Sequence, residues 1–115
     1  MVPSRSRNQR YGRRRQLRLD RVENDLTPGQ WRSMQAAWGG CAYCGTSDAD
    51  LQRDCVLPIS RGGRYTLTNV VPACRSCNAS KCNQEVTGWL RRKRLDESTF
   101  LLRLHDISSS LSARS

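Results

Sequence analysis

A small α+β domain built round a metal ion is the fold that this sequence predicts, and three observations predict it. Two C-x-x-C pairs, Cys41–Cys44 and Cys74–Cys77, bracket one segment. Two short strand-like runs lie between them, each closed by a proline, Pro58 and Pro72. Stretches with apolar residues at helical spacing flank the pairs on both sides. The 115 residues make one domain the default. Only 37% of them are hydrophobic, so the core is modest. A structural metal is a common remedy in so small a chain.

Residues 1–25 read as a basic N-terminal arm. Arg5, Arg7, Arg10, Arg13, Arg14, Arg15 and Arg18 all precede the first acid, Asp20. Like charges repel, so such a run stays extended without a partner. It is either an arm that lies on phosphates or a solvated tail. Tyr11 within it could stack on a base. Residues 26–108 read as the folded domain. Its first helix has Thr27 as N-cap, Pro28 at the first helical position and Gln30 to complete a capping box. Trp31, Met34 and Trp38 follow as a packing stripe, and Gly39-Gly40 ends the helix.

Cys41 to Cys44 forms a first metal knuckle, with Gly45 suited to its tight turn. Leu51 to Leu57 reads as a strand, and Ser60-Arg61-Gly62-Gly63 as a flexible loop. Thr66 to Val71 reads as a second strand closed by Pro72, with Leu67, Val70 and Val71 turned to the core. A helix should leave directly from the second knuckle, with Val86, Trp89 and Leu90 on its buried side. Gly88 weakens or breaks it, and Arg91-Arg92-Lys93-Arg94 ends it where cations suit the helix dipole. A last helix is expected from Asp96 to Ile107, with Phe100, Leu101, Leu104 and Ile107 as its apolar stripe. Residues 109–115 read as a C-terminal tail.

Charge narrows the function. The chain carries 20 basic and 10 acidic residues, for a net charge of +10. Eighteen of the basic residues are Arg, whose planar fork grips phosphate in two places. Nucleic acid is the partner that this excess predicts, with a merely soluble, adhesive basic protein as the rival reading. Met1 to Leu19 contain no apolar core of a secretory signal, and no stretch approaches the length of a membrane span. The expectation is therefore a cytoplasmic protein with reduced thiols. Four thiolates from Cys41, Cys44, Cys74 and Cys77 would then hold a structural Zn²⁺ with no open coordination position. Two disulfides are the alternative, which needs an oxidising compartment. Cys55 and Cys82 remain, and Cys82 reads as a small buried hydrophobe.

From Cys41 to Lys81, roughly a third of the chain, the sequence resembles the HNH endonucleases, the zinc-containing branch of the ββα-metal (His-Me finger) nucleases. It keeps Asp54, Val56, Pro58, Ser60, Gly62, Gly63, Asn69, Cys74, Cys77, Asn78 and Lys81 of the family's pattern. The resemblance implies a ββα-metal core with flanking helices and metal-dependent hydrolysis of DNA phosphodiester bonds. It makes Asp54 and Asn78 ligands of a catalytic divalent cation, Mg²⁺ or Mn²⁺/Ni²⁺, and Asn69 the residue that pins the hairpin loop. Lys81 would face the phosphate backbone, with Arg61 beside it. Arg91 and Arg92 extend the expected DNA-binding set. Relatives of this kind in phage genomes make a role near genome packaging, in a host cytoplasm, the associated expectation.

The departure is at Cys55, where the family's general-base His should stand. The only histidine, His105, falls on the last helix, packed or facing solvent. An ordinary thiol has a pKa of about 8.5 and is a few per cent thiolate at neutral pH. Asp54 raises that value, and a bound cation or Arg61 lowers it. Losing a general base costs about 10²–10⁴ in rate. The expectations are thus an impaired nuclease or, alternatively, a non-catalytic DNA-binding zinc module of the same fold.

Overall fold

The computed structural model describes residues 25–47 and 50–113. The arginines of the expected N-terminal arm, Arg5 to Arg18, lie outside the described residues. Helix α1 spans Pro28–Trp38 and starts as its sequence dictates. Gln30 N–H donates to Thr27 Oγ1 at 3.1 Å, and Thr27 N–H donates back to Gln30 Oε1 at 2.9 Å. Such a cap is worth about 1 kcal/mol. Gly39, at φ 72°, closes the helix. Met34 and Trp38 are buried, and Trp31 is half-buried under the Arg53 guanidinium, 5.4 Å from the ring centre.

The chain then makes the first knuckle. Gly45 N–H donates to Cys41 O at 2.9 Å, and Ala42 N–H donates to Pro72 O at 2.8 Å, which stitches the knuckle to the sheet. That sheet has two antiparallel strands, β1 (Leu51–Cys55) and β2 (Val70–Cys74), with Asp54 opposite Val71 and Cys55 opposite Val70. The second strand is later than the sequence predicts, and Pro72 lies inside it rather than closing it. The register explains this. Val56 N–H donates to Asn69 O at 2.8 Å, and antiparallel hydrogen-bonded pairs alternate. Pro72, opposite Arg53, therefore occupies a position whose missing N–H would face away from the partner. All of β2 is buried, because α1 packs on it and helix α2 (Arg75–Lys81) packs across both strands.

Between the strands, a single 3₁₀ turn at Ile59–Arg61 leads into Gly62 at φ 96°. Gly63 follows, and a Cβ there would fall 1.7 Å from Leu57 O. No side-chain rotation relieves a clash with backbone, so Gly63→Ala must open the loop. A loss of at least roughly 1–3 kcal/mol is expected in urea denaturation, and Gly62→Ala also costs stability, because φ 96° disfavours a side chain even though open space surrounds it.

The helix leaving the second knuckle is two helices. It stops at Cys82, which has φ 49° and ψ −123°. Helix α3 (Val86–Arg92) restarts from Glu85, whose carboxylate accepts from the N–H groups of Thr87 at 2.9 Å and Gly88 at 2.8 Å. Hydrogen bonds from Thr87 and Gly88 hold that carboxylate down to about 2. Gly88 is thus not the breaker; it sits in the first turn of α3, close under its cap. Cys82 is exposed rather than buried, in a backbone region that L-residues rarely adopt. Gln84 N–H donates to Lys81 O at 2.9 Å, closing a turn that glycine fits best. Cys82→Gly is expected to raise stability by about 1 kcal/mol, read as a higher thermal midpoint.

Helix α4 runs Glu97–Ala113, past the expected end at Ile107, and Asp96 caps it through Thr99 N–H at 3.0 Å. Phe100 and Leu111 are buried and Leu104 and Ile107 pack beside them, so the stripe continues to Leu111. Leu101 lies off that stripe and is 40% exposed, contrary to the sequence expectation. Phe100 stacks on Trp38 at 5.8 Å and also contacts Tyr43, while Tyr43 meets Trp89 edge-on at 5.1 Å. This aromatic group ties α1, the knuckle, α3 and α4 into one core. Among the described residues, no helix is long and apolar enough to cross a membrane.

Candidate functional site

The two knuckles meet. The sulfurs of Cys41, Cys44, Cys74 and Cys77 all lie within 4.8 Å of one another, and Cys44 Sγ is 3.8 Å from Cys74 Sγ. Four sulfurs about 2.3 Å from one tetrahedral ion stand about 3.8 Å apart. A disulfide requires about 2.05 Å, and all four cysteines are free. The cluster therefore suits a structural metal such as zinc and not two disulfides. Its electrostatics agree. Burial, then the neighbouring Cys41 thiolate, pushes the Cys77 thiol up strongly. Crowded sulfurs resist ionising together until a dication compensates them. The second knuckle also starts α2, since Cys77 N–H donates to Cys74 Sγ at 3.4 Å.

Beside this cluster, β1 presents Asp54 to α2. The carboxylate is buried, and Oδ2 takes two partners. Lys81 Nζ stands 3.2 Å away, and the hydroxyl of Tyr43 donates to the same oxygen. Lys81 is completely buried and also donates to Cys55 O at 3.0 Å. The expectation that Lys81 faces the phosphate backbone is therefore corrected: it has no exposed surface, and its charge is turned inward onto Asp54. Burial raises the pKa of Asp54, against the lowering effect of Tyr43 and Lys81. Burial pushes Tyr43 far above the usual phenol range, so it remains a hydrogen-bond donor.

Cys55 is half-buried at the end of β1. Burial first, then the Asp54 charge, pushes its thiol up to about 11, with Lys81 opposing. At neutral pH that leaves only about one thiolate in ten thousand, far below the few per cent of an ordinary thiol. Asn69 stands where the loop returns. Its Nδ2 donates to Leu57 O at 3.0 Å and Arg64 O at 2.9 Å, and its Oδ1 accepts from Leu57 N–H at 2.9 Å. One side chain thus fixes the chain two residues beyond Cys55. Asn78 projects from α2 towards β1, where its Nδ2 donates to Gln52 Oε1 at 2.7 Å.

The other expected site residues are more scattered. Arg61 is exposed at the hairpin loop. Arg91 is exposed but held by Glu97 through two hydrogen bonds, 2.7 and 2.9 Å long. Arg92 is exposed and donates to Gln84. His105 is exposed on α4. Sequence reasoning missed Tyr43 and Gln52. Both left a signal: Tyr43 lies inside a metal knuckle, and Gln52 stands two residues before Asp54 and so shares its strand face.

A zinc-type ββα-metal domain is the class that these features define: an antiparallel hairpin, a helix crossing it, and a four-sulfur cluster at the base. The family model described as HNH endonuclease matches residues 41–94, just under half of the chain. Neither the curated proteins nor the solved structures contain a match to the chain. The family match suggests nuclease or DNA-binding function for this part of the chain.

Proposed function

We propose that this domain is a metal-dependent DNA endonuclease that hydrolyses phosphodiester bonds in the cytoplasm, slowed by the thiol at position 55. The observation that carries the reading is that α2 lies against β1, with Asn78 bonded to Gln52 and Lys81 paired with Asp54, next to Cys55 on the strand. Asp54 and Asn78 would hold the catalytic cation, Mg²⁺ or Mn²⁺/Ni²⁺. The donor set fits: a hard cation takes one or two oxygens from protein and completes its shell with water and phosphate. Oδ2 of Asp54 already carries Tyr43 and Lys81, so Oδ1 is the atom for a cation. The ammonium of Lys81 beside it weakens the attraction for a second positive charge. Bound there, the cation supplies Lewis-acid polarisation of the scissile phosphate and stabilises the departing oxygen.

The chain's own residues do the rest. Asn69 holds the loop that carries Arg61, whose exposed guanidinium can take a phosphate in two places. Arg92 and the arginines from Arg5 to Arg18 add sequence-independent attraction, in keeping with the net charge of +10. Cys55 contributes a neutral thiol where a proton acceptor is needed. That thiol also favours a second reading, a DNA-binding module without catalysis.

One experiment separates them: plasmid relaxation with Mg²⁺, Mn²⁺ and Ni²⁺ by the wild-type chain, Cys55→His and Asp54→Asn. Weak nicking by the wild type is expected, with Cys55→His faster by about 10²–10⁴ and Asp54→Asn inert. If the wild type and Cys55→His are both inert while binding DNA with a steep salt dependence, the enzyme reading gives way to the second.

A further inference from the structure

We propose that Leu57 is an apolar wedge that enters a base step of duplex DNA from the minor groove, with the arginines of its own loop on the flanking phosphates. The inference rests on the reading of DNA as the partner and names a contact that reading leaves open. Leu57 stands two residues after Cys55 and is 47% exposed. An exposed leucine is ordinary by itself. This one has a backbone held from both sides. Its N–H donates to Asn69 Oδ1 at 2.9 Å, and its carbonyl accepts from Asn69 Nδ2 at 3.0 Å. Gly63 lies so close to that carbonyl that a Cβ there would stand 1.7 Å from the oxygen.

The same frame carries two cations. Asn69 Nδ2 also donates to Arg64 O at 2.9 Å. Pro58 O, one residue after Leu57, accepts from Arg61 N–H at 2.9 Å. Arg61 and Arg64 are both exposed. The loop therefore mounts one open apolar side chain rigidly among exposed arginines. A wedge needs that mounting, since unstacking a base step is costly and a loose loop would yield before the step did. The surroundings suit a polyanion. From Cys55 to Gln84 the chain has no acidic residue, so the field of the hairpin draws phosphate towards the loop. Among the described residues, Asp25 is the one carboxylate bordering the cleft beside Leu57. The other open leucines, Leu101 and Leu102, lie on α4 together with Glu97 and Asp106.

The test measures binding of the zinc-loaded full chain, without added Mg²⁺, to two short duplexes. One is fully paired, and the other has a central mismatch; each carries 2-aminopurine at its central step. A mismatch has already given up part of the stacking that a wedge must break. The wild-type chain should favour the mismatched duplex by about tenfold or more and raise the 2-aminopurine fluorescence of both. Leu57→Ala should lose the preference and the fluorescence rise, with its thermal midpoint unchanged and its steep salt dependence kept. Leu57→Phe should keep both signals. A wild type that binds DNA with neither signal overturns the inference alone, as does a Leu57→Ala variant that retains both. A lowered thermal midpoint in Leu57→Ala would make the side chain part of the fold and overturns it too. A wild type that binds neither duplex overturns the DNA reading and this inference together.

Discussion

Replacing Lys81 with Met is expected to cost about 3–5 kcal/mol, the loss typical of breaking a buried ion pair from one side. Lys81 is fully buried, 3.2 Å from Asp54 Oδ2 and 3.0 Å from Cys55 O. Without it the carboxylate keeps only the Tyr43 hydroxyl. The sign of the pH dependence follows. Burial already holds the Asp54 pKa above its ordinary value, with Lys81 pulling it down. Removing Lys81 raises it further. A carboxyl with a raised native pKa binds more protons folded than unfolded, so stability falls as pH rises through the native value. The deficit of Lys81→Met should therefore be largest near neutral pH and shrink as pH falls towards the ordinary Asp range. Urea denaturation at several pH values measures this. The same physics bears on Asp54→Asn, which strands the ammonium. The double variant Asp54→Asn, Lys81→Met should be more stable than the sum of the single losses allows. Strict additivity would mean that the two side chains do not share one buried charge.

Loss of the metal should have the largest effect of all. Structural zinc in small domains contributes an apparent 10–16 kcal/mol or so, about equal to or more than the whole stability of a typical domain. The connections explain why so much depends on it. The first knuckle donates from Ala42 N–H into β2, and the second supplies the sulfur that caps α2. Tyr43, between two ligands, joins the aromatic core and the Asp54 carboxylate. A strong chelator, or Cys77→Ser, should abolish the cooperative thermal transition seen by circular dichroism. Metal analysis should find one zinc per chain, retained in Cys55→Ser and Cys82→Ser. A chain that keeps its cooperative transition after full removal of metal would exclude this account.

The sequence by itself determined the elements that short-range chemistry controls. The capping box at Thr27, the stripe of Met34 and Trp38 and the two knuckles all depend on neighbours within a few residues. Their spacing therefore carries them. The pinning of the loop by Asn69 was legible through the resemblance, because fixed spacing encodes that fixed geometry. Pairing across space decided the rest. Pro72 reads locally as a strand end, yet the register set by Val56 and Asn69 gives it a place where a lost N–H is harmless. Gly88 reads as the helix breaker, yet the chain turns earlier, where one helix ends at Cys82 and the next starts from the Glu85 cap. Lys81 reads as a surface cation, and what holds it inward is a carboxylate 27 residues earlier in the chain, together with the neighbouring carbonyl of Cys55. A buried charge must find its partner, and that partner is known only once the strand and the helix have met.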